Sequence, residues 1–225
     1  MGQRRLLTIV LSFAVLTGCG GGSSGTPGGG DTASAANANG STAVATPSAG
    51  GPMTILEAEK AVLAAMVPAA TAKRLAFTVS TKPRISNTTF FTGCGKALTA
   101  EAYLIASGSQ KLSASSRTLV QSVSVLRPGG AARSVKEVAG LTRCSKYRLG
   151  TVTHDQLQRQ DVSAVKGFDG VSSWCERLNR RSYSCVSVAS KGDLLLQMSS
   201  VSGTLKDAQR ILRQFLDLSA AQLAG

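Results

Sequence analysis

From Gly20 to Pro52 the chain has almost nothing to bury: it is Gly, Ser, Thr, Ala, Asn and Pro, interrupted only by Asp31 and Val44, with no aromatic residue. Such a segment gains too little from burial to offset the entropy of ordering its backbone, so it reads as an unfolded tether. As a flexible coil of about 33 residues it reaches roughly 30 Å. The tract divides the chain into a leader (1–18), a cysteine with its tether (19–52) and a body (53–225) of a size to build one hydrophobic core.

The leader has its own pattern. Met1-Gly2-Gln3-Arg4-Arg5 is a charged start, and the apolar run from Leu6 to Leu16 is an export-type core. The run is too short to cross a bilayer, which takes about 20 apolar residues. It ends in Leu16-Thr17-Gly18-Cys19, a sequence that resembles the lipobox of bacterial lipoproteins. That resemblance implies cleavage between Gly18 and Cys19, acylation of Cys19, and attachment to the outer face of the cell membrane. More than one acyl chain is then needed, because a single chain holds a protein only marginally. Myristoylation is not supported, since position 6 is Leu6 instead of Ser or Thr.

Cys94, Cys144, Cys175 and Cys185 remain, and an even count in an exported chain reads as two disulfides, with three possible pairings. The segments VSSWCERL and SYSCVSVA flank Asn179-Arg180-Arg181 as a hairpin would, and pairing Leu178 with Ser182 sets Cys175 opposite Cys185. Spacing therefore favours Cys175–Cys185 and Cys94–Cys144. The other elements read as follows. Thr54-Ile55-Leu56-Glu57 is a capping box for a helix that Pro68 stops. Leu75, Phe77 and Val79 alternate as a strand that Lys82-Pro83-Arg84 ends, and Ile85 to Ser116 shows little pattern. Arg117 to Arg127 is a strand, and Ala131, Val135, Val138 and Thr142 mark a helix leading to Cys144. Tyr147, Leu149 and Thr151 suggest a short strand, while His154 to Lys166 is polar and unassigned. DLLLQMSS reads as a strand buried on both sides. From Thr204 onward, Leu205, Ala208, Ile211, Leu212, Phe215 and Leu216 form the apolar stripe of a helix. The predicted class is α+β, an antiparallel sheet packed with helices.

The same residues exclude much chemistry. His154 is the only histidine, no nucleophile motif accompanies it, and it reads as a surface or strand-edge residue. With one histidine and four cysteines expected as disulfides, no metal site is expected, and no cofactor loop is present. Glu101, Glu137, Asp155, Asp161, Asp169 and Glu176 are scattered, and Trp174 reads as hairpin packing. No enzymatic activity is expected. Net charge is +13, or +11 without Arg4 and Arg5, which favours anionic partners; nucleic acid is not expected outside the cell. Arg177, Arg180 and Arg181 make the densest basic cluster and are the candidate grip on an anion or a partner.

The order of these features resembles the PknH-like extracellular sensor domain. The resemblance rests on the capped helix with VLAAMVP, Cys94-Gly95-x-x-Leu98, SVSVLRPGGAA leading to Cys144, and the hairpin followed by GDLLLQMS. It implies a sheet packed with helices, two intramolecular disulfides and a cleft for an unidentified ligand. Two departures matter: Cys175 and Cys185 lie close together, and the sequence carries neither a kinase domain nor a membrane span for signalling. The expected function is ligand or partner binding at the cell envelope. The alternative is a lipid or glycolipid carrier, which requires a large apolar chamber between helices and sheet.

Overall fold

A computed structural model describes residues 53–86, 92–141, 144–159 and 165–224. The leader, Cys19, the tether, Thr142 and Asp161 lie outside the described residues. In chain order the elements are helices α1 (Ile55–Ala64) and α2 (Ala69–Arg74), strand β1 (Thr78–Ser86), and the short strands β2 (Thr92–Gly93) and β3 (Lys96–Ala97). A 3-10 turn (Thr99–Tyr103), strands β4 (Leu104–Ala114) and β5 (Arg117–Leu126), and helix α3 (Gly130–Leu141) follow. The chain continues through β6 (Lys146–Leu149), β7 (Val152–Arg159), β8 (Gly170–Leu178), β9 (Ser182–Lys191) and β10 (Leu194–Ser202) into helix α4 (Leu205–Ala224). Eight strands form one antiparallel sheet in the order β1-β4-β5-β10-β9-β8-β7-β6. The fold is α+β, with disulfides Cys94–Cys144 and Cys175–Cys185.

The central strands of the sheet are buried on both faces. Alternate residues divide between two cores: Cys175, Cys185, Ala189 and Leu196 face α1 and α4, whereas Trp174, Val186, Val188 and Leu195 face α3. That division explains the unbroken apolar run of β10, whose pairing with both β5 and β9 places it mid-sheet. α1 covers β4 and β5, and α4 covers β9 and β10. Between them the rings of Phe77 and Phe215 meet edge-on at 5.2 Å.

α1 begins at its capping box, in which the Thr54 hydroxyl accepts from the Glu57 amide at 3.3 Å and Glu57 accepts from the Thr54 amide at 2.9 Å. The helix stops at Ala64, and Pro68 caps a second, shorter helix. The intervening turn is buried, so its backbone polar groups need partners. Two glutamines opposed on β4 and β5 provide them. Gln121 accepts from the Val67 amide at 2.9 Å and donates to the Ala65 carbonyl at 3.2 Å. Gln110 donates to the Val67 carbonyl at 3.0 Å and to Gln121 at 2.7 Å.

Four expectations are corrected. The strand assigned around Leu75, Phe77 and Val79 begins only at Thr78, because α2 runs to Arg74 and Ala76 turns the chain with φ +60°. It also does not end at Lys82-Pro83-Arg84. β1 continues to Ser86, with a register shift between Thr81 and Arg84 that absorbs Pro83, tolerated because β1 is an edge strand. The unpatterned stretch from Ile85 to Ser116 contains β4, whose core-facing positions are Ala106, Gly108, Gln110, Leu112 and Ala114. Small and polar residues on the buried side erase the alternation that marks a strand. The polar segment after Thr151 is β7, paired on both sides.

Candidate functional site: the β6–β8 end of the sheet

The β6–β8 end carries polar chemistry on both faces. On the α3 face, strand pairing aligns Tyr147 with His154, and Gln156 with Glu176, while Trp174 lies two residues along β8. The Glu176 carboxyl is 4% exposed and is the focus of three donors. Tyr147 Oη donates to Oε1 at 2.5 Å and Trp174 Nε1 donates to the same oxygen at 2.8 Å. His154 Nδ1 lies 2.7 Å from Oε2. A carboxylate only accepts, so Nδ1 carries the hydrogen in this contact. The rings of Tyr147 and His154 stack at 4.6 Å. Burial first, and then the bond to Glu176, hold the Tyr147 hydroxyl far above its ordinary pKa of 10.0, so it remains a donor.

A disulfide lies against this cluster. Cys144 Sγ is 3.6 Å from Gln156 Oε1, and the Cys144 amide donates to Cys94 Sγ at 3.3 Å. The segment after Cys94 passes close to Tyr147, and Leu98 joins Trp174 in the α3 core. Thr99 is then tied to α3 through Glu137, which accepts from its amide at 3.0 Å and its hydroxyl at 2.7 Å. His154 is thus not a surface or strand-edge residue. It is 14% exposed on a strand with neighbours on both sides, because a carboxylate from β8 fixes it.

The opposite face of the same strands is basic. Lys146, Asp155 and Arg177 align across β6, β7 and β8, with Lys146 Nζ and Arg177 Nη2 each 3.7 Å from the Asp155 carboxylate. One carboxylate is shared by two cations, and Arg177 Nε is buried without a hydrogen-bond partner. Arg148 lies one row on, opposite Thr153. Arg180 and Arg181 are exposed at the β8–β9 tip, which Asn179 clips to β7. Its amide donates to the Thr153 carbonyl at 2.9 Å, and its side chain accepts from the Thr153 amide at 2.8 Å. The structure therefore brings Arg177, Arg180 and Arg181 into one region and adds Lys146 and Arg148, which only strand pairing places there.

Arg180 has φ +59°, in the left-handed region. A non-glycine residue pays about 1 kcal/mol or more in that conformation. Asn179 shares that region at φ +45°, and the Arg181 amide donates to the Leu178 carbonyl at 2.9 Å, so the tip is a tight hairpin turn in which Arg180 stands where glycine is the less strained choice.

Among the described residues no group of three or more His, Cys, Asp or Glu side chains is arranged to hold a metal. His154 is hydrogen-bonded to Glu176, and no described hydroxyl or thiol pairs with it as a nucleophile would. Two shallow, open depressions, of about 440 and 340 Å³, lie along α4, lined in part by Lys166 and Asp217 and by Leu75 and Gln214 respectively. They are remote from the Glu176 cluster, and the core beneath α1 and α4 is filled by side chains such as Phe77, Phe215 and Met198.

No protein-family model and no curated protein sequence matches the chain. Among solved structures, it is similar to the extracellular domain of PknH from Mycobacterium tuberculosis, at 9% identity and TM-score 0.56, over 73% of this chain and 97% of that one. A Mycobacterium smegmatis protein described as the Rv0999 ortholog matches more loosely, at 13% identity and TM-score 0.40, over 72% of this chain and 97% of that one. The described domain therefore has a fold like that of the PknH extracellular domain.

Proposed function

We propose that the chain is a lipid-anchored, extracytoplasmic binding protein without catalytic activity, and that the basic β6–β8 end of the sheet is where it takes an anionic ligand or partner. The lipobox-like Leu16-Thr17-Gly18-Cys19 and the tether supply the anchor. Two disulfides in the folded body support an oxidising location, and the fold is that of a domain known to be extracellular. The observation that carries the binding reading is the row in which Lys146 and Arg177 share the one carboxylate of Asp155, with Arg148 on the same face and the exposed Arg180 and Arg181 at the adjoining β8–β9 tip. Arginine forks match phosphate and carboxylate groups, so an oxyanion-bearing ligand is the fitting class. The carrier alternative gains no support from the core between helices and sheet, which side chains fill.

The test is an NMR titration of the mature chain with tripolyphosphate. Amide shifts should concentrate at the β8–β9 tip and on β6, and Arg180→Gly with Arg181→Ala should weaken binding about tenfold, given the 1.5–3 kcal/mol typical of charged hydrogen bonds. Arg180→Gly alone should raise the unfolding midpoint, because glycine relieves the left-handed strain. Shifts centred elsewhere, or an unchanged affinity in the double variant, would overturn the site.

A further inference from the structure

Four large apolar side chains are exposed among the described residues, and three of them lie on α1: Ile55 at 66%, Leu56 at 61% and Leu63 at 47%. α1 buries Ala58 and Val62 against the sheet. At helical spacing Leu56 and Leu63, two turns apart, fall on one flank turned to solvent, while Ile55 projects about a quarter turn away, at the exposed first turn on the side of Val62. Scattered exposed leucines need no explanation, but a cluster on one short helix does.

The elements next to this flank carry cations. Lys60 on α1, Lys73 and Arg74 on α2, and Lys82 at the irregularity of β1 are exposed, whereas Arg84, paired with Ser109, belongs to the sheet face away from α1. The acidic residues of α1 are Glu57, engaged with Thr54 in the capping box, and Glu59. Apolar side chains beside Lys and Arg are what an anionic bilayer interface takes up: the chains enter the headgroup boundary and the cations pair with phosphate. The corner also lies where the tether joins the folded body, since α1 begins three residues after Pro52. The β6–β8 end has cations but none of the exposed large apolar residues.

We propose that this α1–α2–β1 corner docks the domain onto the anionic bilayer that anchors it. The proposal rests on the lipid-anchor reading for its setting. β1 and β6 are opposite edges of the eight-stranded sheet. At about 4.8 Å per strand, α1 over β4 and β5 lies roughly 20 Å across the sheet from β7 at the basic end, so the two surfaces are separate. The anchor fixes the protein to the membrane, and the docked corner fixes its orientation.

The mature chain, 19–225, with Cys19→Ala carries no acyl group and isolates the corner's contribution. It should cosediment with phosphatidylglycerol vesicles at low salt and about tenfold less with phosphatidylcholine vesicles, as expected where cations and apolar groups act together. Adding Ile55→Ser, Leu56→Ser and Leu63→Ser should lower phosphatidylglycerol binding about tenfold or more, and Arg180→Ala with Arg181→Ala should leave it unchanged. Lys60→Glu with Lys73→Glu, which alters only exposed positions, should give the same loss if the serine variant does not fold by circular dichroism. Undiminished binding by the corner variants, loss through the Arg180 and Arg181 variant, or self-association through α1 without vesicle binding would each overturn the proposal. Absence of an acyl group from the natural chain with vesicle docking intact would remove the anchor and leave the docking face standing.

Discussion

At the residue scale the fold depends on a few buried polar groups that are fully partnered. Gln121 is fully buried and joins the turn between α1 and α2 to the sheet through two hydrogen bonds, while accepting a third from Gln110 on β4. Gln121→Leu keeps the volume but strands the Val67 amide and the Ala65 carbonyl. The expected loss is about 2–3 kcal/mol, read from urea unfolding, and a loss below about 0.5 kcal/mol would contradict the role. Tyr147 gives a pH signature. Burial and Glu176 raise its pKa in the folded state above the ordinary 10.0. Its contribution is therefore complete below that value and is lost as pH rises through the folded pKa, because the unfolded chain releases the proton first. Wild type should lose stability above about pH 10 more steeply than Tyr147→Phe, and parallel curves would exclude the arrangement.

At the element scale, one contact explains how α1 reaches the sheet edge. A Cβ on Gly108 would come within 2.8 Å of Val62 Cγ1 and 2.9 Å of both the Arg84 carbonyl and Met66 Cε. Gly108→Ala should cost about 1–3 kcal/mol and loosen β1 first, seen as faster amide exchange over Thr78 to Ser86. Much of the element order is legible in the sequence where local chemistry and burial agree. The β8–β9 register, with Cys175 opposite Cys185, follows from a polar turn between β-rich segments, and α4 from its apolar spacing. β4 escapes because Ala106, Gly108 and Gln110 occupy its buried side, leaving no apolar alternation. β7 escapes because both of its faces are engaged in polar contacts, through His154 and Gln156 on one side and Asp155 on the other. The site was half legible for the same reason. Three arginines are near neighbours in sequence, whereas the Glu176 cluster joins residues up to 29 positions apart and has no local signature.

At the scale of the whole molecule, the proposed parts run in order from membrane to ligand. On that proposal Cys19 would supply attachment, the tract to Pro52 reach, and the α1 corner a contact with the bilayer, with the basic end of the disulfide-tied sheet left for the ligand. That order depends on Cys19 being an acylated terminus instead of a free thiol, so it is the point at which the account is most exposed. The direct measurement is metabolic labelling of the full chain with an alkyne fatty acid in a host with a lipoprotein pathway, followed by intact-mass analysis. The account predicts label on the wild type, removal of residues 1–18, and no label on Cys19→Ala. An unlabelled wild type, or label that persists in Cys19→Ala, would contradict it.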